Sequence, residues 1–282
     1  MVLLILLSGV SVKAQDAGAM QLAEDSLRTL SMRIIQPGED AQRLEHNQQF
    51  KQYFQQVLEQ DQHLAWPFDS LKAVAILLSD DASFRVITWY VPLSGGHFQY
   101  FGFIQQAAGK NQARQLIELT DQTSAIDSAG FISLTPQRWW GAWYYQMIHE
   151  RHQGKDLYTL LGWKGKDPST RQRVIEPLML TGQGPVFGAP VFEAAQGEAP
   201  RTRIIFEYSA RVAMSLKYET HAPRPGMTPR PMIVFDRLSP SHENLRGHYQ
   251  YYVPEVNVVD AFMFEEGKWK FIRDVDARTN RP

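Results

Sequence analysis

WYYQMIHERHQG, residues 143–154, is the stretch whose reading decides the fold. As a helix it would set His149 and His152 on one face with Glu150 between them, the beginnings of a metal site. A zincin helix needs His-Glu-x-x-His, which places both imidazoles one turn apart on the same side. Here residue 153 is Gln, and the second histidine comes one position early. The residue types argue for strand instead. Trp143, Tyr144, Tyr145 and Ile148 are strand formers, Gly154 suits a turn, and residues 157–163 read as a returning strand. The pattern predicts a β-hairpin with its turn at about residues 152–155. Neighbouring side chains on a strand point to opposite faces, so His149 and Glu150 separate and no metal site closes around them. No metal and no cofactor is expected.

On both sides of this hairpin the strand pattern continues. Residues 72–78, 84–91 and 98–105 are rich in Val, Ile, Phe and Tyr, and 114–119 add a fourth strand. Asp80 with Asp81, and Ser94 with Gly95 and Gly96, are the turn signals between them. Downstream, strands are expected at 204–208, 212–218, 232–235, 249–253, 262–264 and 269–272, the last two joined by a turn at Glu266 and Gly267. Trp269 is expected to bury its indole with Phe271 on the inner face of that sheet. The Gly/Pro-rich stretches 182–190 and 222–231 read as loops, the second a surface loop carrying Arg224 and Arg230. Strands this short and this close in sequence predict an antiparallel meander, sandwich- or propeller-like, in a mainly β (α+β) chain.

The first part of the chain has the other period. In residues 16–36, Met20, Ala23, Leu27, Leu30 and Ile34 recur at three and four residues, and Pro37 with Gly38 ends the stripe. Residues 39–63 repeat the pattern with Leu44, Phe50, Phe54, Val57 and Leu58. A helical hairpin packed on the sheets is expected. Ahead of it, the apolar run of residues 2–7 and the small residues Val12 and Ala14 fit an export signal cleaved before Gln15. The expected organisation is a signal peptide at 1–14, a helical hairpin at 15–64 and an antiparallel β domain at 65–282.

Bulk properties narrow the function classes. Of the 282 residues, 44% are hydrophobic and 21% charged, an ordinary globular balance that excludes disorder as the main state. A formal net charge of −1 leaves no electrostatic basis for gripping nucleic acid. The sequence has no transmembrane-length apolar segment. Cysteine is absent, which removes thiol catalysis, Cys-ligated zinc and disulfides. The expected product is an exported, soluble, periplasmic or extracellular protein.

The pieces YTLLGWKG (158–165), GPVFGAPVF (184–192), RIIFEYSARVAMSLKYE (203–219), IVFDRLSP (233–240) and GKWKFIRDVDAR (267–278) carry a resemblance. They are similar to a group of secreted proteins of unknown function from Gram-negative bacteria. The resemblance implies export and assigns no chemistry, so no residue role comes with it.

Two constellations remain as candidates for function. Asp236, Asp274 and Asp276 lie at expected strand ends, where paired carboxylates could serve as acid and base on a glycan. The plainer reading pairs them with Arg237, Arg273 or Arg278 at the sheet rim. Trp139, Trp140 and Trp163 could form an aromatic platform, with Trp163 favoured because Gly162 leaves the backbone bare beside it. Their plainer role is core. No Gly-x-Ser-x-Gly, P-loop or dinucleotide motif is present, and Pro185 and Pro190 deny GQGPVFGAP the N–H groups of a phosphate cradle. The leading expectation is a binding or envelope-maintenance module whose partner is a glycan or another envelope protein. A hydrolase of glycans or peptidoglycan and an envelope assembly or chaperone partner are the alternatives. A pocket gathering two acids with an aromatic wall is the feature that would discriminate them.

Overall fold

The computed structural model describes residues 6–275 except 62, 63, 65, 110–112, 195, 196 and 225, and only the backbone of 6–16. Two helices, α1 (Leu6–Ile34) and α2 (Asp40–Gln60), turn back on each other at the expected Pro37 and Gly38. α1 begins upstream of the expected start at residue 16. Gln42 caps the entry to α2, accepting a hydrogen bond from the Glu39 N–H at 3.4 Å.

The apolar stripes of both helices lie on the first sheet, β1 (Ala75–Leu78), β2 (Phe84–Pro92), β3 (Phe98–Gln106) and β4 (Gln115–Thr120), in that spatial order and all antiparallel. Leu27, Ile34, Phe50, Phe54 and Leu58 pack there against Ile87, Trp89, Val91 and Phe103. Trp89 sets its ring edge-on to Phe50 at 5.3 Å and donates its indole N–H to the buried Asn47 at 2.7 Å. Arg85 closes the layer from the sheet side, with Asp61 at 2.9 Å and Gln105 at 2.9 Å.

The opposite face of this sheet, with Phe84, Val86, Tyr100 and Ile104, covers a second sheet. That sheet runs β5 (Trp143–His152), β6 (Lys155–Gly165), β7 (Thr170–Thr181) and β8 (Gly184–Phe187), while β9 (Ile204–Ser209) pairs with the first half of β7. Tyr158, Leu160, Val174 and Leu178 face the first sheet. Leu161 and Ile175 face away, toward a third sheet of β10 (Leu216–His221), β11 (Arg230–Pro240), β12 (Tyr252–Glu265) and β13 (Lys268–Ile272). The middle sheet is buried on both faces, which is why its strands are nearly continuous in apolar residues.

The chain is thus a helical layer followed by three antiparallel sheets stacked face to face, sandwich-like rather than arranged around a propeller axis. Local expectations change as well. Residues 184–187 of the expected Gly/Pro loop form β8, where Pro185 is tolerated because β8 is the end strand of its path. Of the strand expected at 249–253, residues 249–251 form a 3-10 turn and only 252–253 are strand, joined with the expected 262–264 in one strand, β12. Asn257, at φ 59°, lies where the β11–β12 register shifts, so the strand bends there without stopping. β7, which no periodicity announced, is the central partner of the second sheet.

Candidate functional site

The opening stretch is a hairpin. β5 and β6 pair from Trp143↔Trp163 to His152↔Lys155, closed by Gln153 and Gly154 at φ 50° and 77°. Two successive positive φ values match the twist of the strands, and Gly154 takes the second without strain. The turn is tighter than the four-residue loop expected. His149 stacks on Tyr158 at 4.6 Å, with its Nε2 2.9 Å from the Asp156 carboxylate. Glu150 accepts a hydrogen bond from the Tyr218 hydroxyl of the third sheet at 2.9 Å. The two side chains therefore leave the strand on opposite faces. Among the described residues, no three His, Cys, Asp or Glu side chains are gathered as a metal site would need.

The tryptophans divide. Trp139 and Trp140 are buried in the core between the first two sheets and present no face to solvent. Trp139 donates its indole N–H to the Tyr144 hydroxyl at 3.1 Å. Trp163 is half-buried, between Tyr90 at 5.5 Å and Phe98 at 5.2 Å. The bare backbone at Gly162 admits a neighbour's ring rather than a ligand: a Cβ there would lie 2.8 Å from the Tyr144 ring.

The acids are engaged as well. Asp236 accepts the Ser215 N–H at 2.6 Å. Asp274 pairs with Arg237 at 2.6 Å, and the same guanidinium makes two hydrogen bonds to Asp260, at 2.9 and 2.5 Å. Hydrogen bonds that Arg237 donates to Asp260 and then to Asp274 hold its guanidinium above the ordinary range. Asp276 lies outside the described residues.

Two buried charges sit between the first and second sheets. Glu176 and Arg203, both fully buried, meet at 2.7 Å through Arg203 Nε. Arg203 also donates to the carbonyls of Ala129, Ile132 and Phe187, and Tyr144 donates to Glu176 at 3.1 Å. Lys164 points into the same layer. Its ammonium donates to Thr123 Oγ1 at 2.7 Å and to the Gly141 carbonyl, between the rings of Tyr100 (4.5 Å) and Trp140 (4.6 Å). Burial presses its pKa from 10.5 down to about 8, against the pull of Asp121 and Glu176.

Between those two values the unfolded chain holds a proton on this lysine that the folded chain has released. Stability therefore rises with pH across that window, and below it the folded state bears the cost of a buried ammonium. Urea unfolding is expected to show the wild type gaining on the order of 2 kcal/mol relative to Lys164→Met between about pH 7.5 and about pH 9.5. Parallel pH profiles for the two proteins would contradict this.

An open cavity of about 480 Å³ involves none of the expected site residues. It forms where the chain crosses from the second sheet to the third and back. After β8, residues 191–193 lie along β13: Trp269 N–H donates to Val191 O at 2.7 Å, and Glu193 N–H to Trp269 O at 3.0 Å. The chain then returns to β9 at Ile204. The crossing leaves a wall of Phe192, Phe262, Phe271 and Ile204, rimmed by Glu193, Glu198 and Arg201. Phe262 stands 5.5 Å from Phe192 and 5.7 Å from Phe271. Phe271, expected to be buried with Trp269, is 51% exposed because the cavity opens beside it. Arg201 rests its guanidinium 5.1 Å over the Phe131 ring. No motif marks this site, since its charged residues come from a segment, EAAQGEAPR (193–201), that reads as an ordinary polar connection.

No protein-family model, curated protein or solved structure matches this chain.

Proposed function

We propose that this chain is an exported binding module whose ligand sits in the cavity between the second and third sheets. The observation that carries the reading is that cavity itself: an aromatic wall, a charged rim and a half-exposed Phe271 in about 480 Å³, the size and character of a small-ligand site. Export is supported by the apolar run of residues 2–7 ahead of Val12 and Ala14. The resemblance of 158–278 to secreted proteins points the same way. Among the described residues no helix is long and apolar enough to cross a membrane. A hydrolase reading has less support. Asp236 and Asp274 are each held by a partner, and the rim acids Glu193 and Glu198 are exposed, without the burial that sets a general acid apart from a base.

The test is titration with N-phenylnaphthylamine, a neutral apolar dye that brightens on leaving water. Saturable brightening is expected with the wild type. Phe271→Glu should weaken it by at least about tenfold while shifting stability by less than about 1 kcal/mol, because the ring is half outside already. Equal brightening of both proteins would remove the cavity as the site.

A further inference from the structure

The rim of the cavity carries charge of both signs that is not neutralised locally. Glu193, Glu198 and Arg201 all line it, and among the described residues none of them forms an ion pair with another or with a neighbour. Lys270 lies near enough to feel Glu193, but its own pairs go to Glu265 at 3.6 Å and Glu266 at 3.0 Å. Arg201 is steadied by the Phe131 ring, an arrangement that occupies the guanidinium's face and leaves its N–H edge for an anion. Between these charges lies the phenylalanine wall, and interactions beside such a low-dielectric surface are stronger than in open water.

This combination restricts the ligand. A fatty acid or other simple anion would satisfy Arg201 and meet two glutamates. A simple cation would satisfy the glutamates and meet Arg201. A molecule with a carboxylate at one end, an ammonium at the other and an apolar body between them suits all three charges and the wall. We propose that the cavity takes a short apolar peptide with free termini: its carboxylate on Arg201, its ammonium toward Glu193 and Glu198, its side chains on Phe262 and Phe271. This rests on the cavity being the ligand site proposed above.

The experiment is calorimetric titration of the full chain with Leu-Phe, N-acetyl-Leu-Phe and Leu-Phe-amide. The unmodified dipeptide should bind, and each cap should weaken it by about tenfold, because each removes one charge–charge contact. Arg201→Gln should abolish the penalty of amidation and leave that of acetylation. Glu193→Gln with Glu198→Gln should do the reverse. If all three peptides bind alike, or if a cap's penalty survives removal of its partner, the zwitterion assignment is overturned. Dye binding without Leu-Phe binding overturns the peptide assignment alone; failure of both the dye and the peptide overturns the cavity reading too.

Discussion

Arg203→Met is expected to destabilise the protein by about 3–5 kcal/mol. The guanidinium is fully buried, and it is the only cation paired with Glu176 among the described residues. Removing it leaves a carboxylate between two sheets with the Tyr144 hydroxyl as its remaining hydrogen-bond donor there. It also strips the carbonyls of Ala129, Ile132 and Phe187 of a donor, and so loosens both the 129–131 turn and the end of β8. Most of that cost is the stranded charge rather than the lost attraction, so Glu176→Met combined with Arg203→Met should recover at least half of it. Chemical denaturation of the two single variants and the double variant measures this directly. A single variant within about 1 kcal/mol of wild type would show that water reaches Glu176.

Trp269→Ala should cost about 3–5 kcal/mol for a different reason. The indole is fully buried, donates to Thr159 Oγ1 of β6 at 3.1 Å, and sets its edge against Phe264 at 5.2 Å. It bolts the third sheet to the second, and truncation leaves a cavity that two rigid sheets cannot collapse to fill. Trp269→Phe should recover more than half of the loss, since it keeps most of the packing and forfeits only the hydrogen bond to Thr159. The same residue's backbone holds residues 191–193 against β13, a pairing that the alanine variant keeps. A melting temperature unchanged from wild type would show that the indole bears no load.

Much of the architecture was legible because it is written in local period. The stripe of Leu27, Phe50 and Phe54 marks a helical pair, and the alternation in 84–91 and 98–105 marks strands, whatever those elements pack on. The 143–163 hairpin was legible for the same reason: Gly154 readily takes the positive φ of a tight turn, and the flanking aromatics prefer strands. β7 was not legible. Its centre is Glu176-Pro177, a carboxylate and an imino acid where a central strand should have neither. Pro177 is tolerated because β9 pairs with β7 only as far as Ile175 and β8 only from Leu178, so its missing N–H falls in the gap. Glu176 is tolerated because Arg203, well along the chain, reaches it.

What the sequence determined by itself was the kind of most elements, β7 and β8 excepted, and the alternation of their faces, since periodicity is set by backbone geometry within a few residues. The third dimension decided which charges are compensated. Asp236 and Asp274 looked alike as strand-end acids, yet one holds a backbone N–H and the other an arginine. Trp139 and Trp140 lie in the core while Trp163 stays half outside. The cavity lies beyond sequence reading for the same cause. Phe192, Phe262 and Phe271 belong to three segments, and Arg201 with its glutamates to a connection with no pattern; only the stacking of two sheets brings them together.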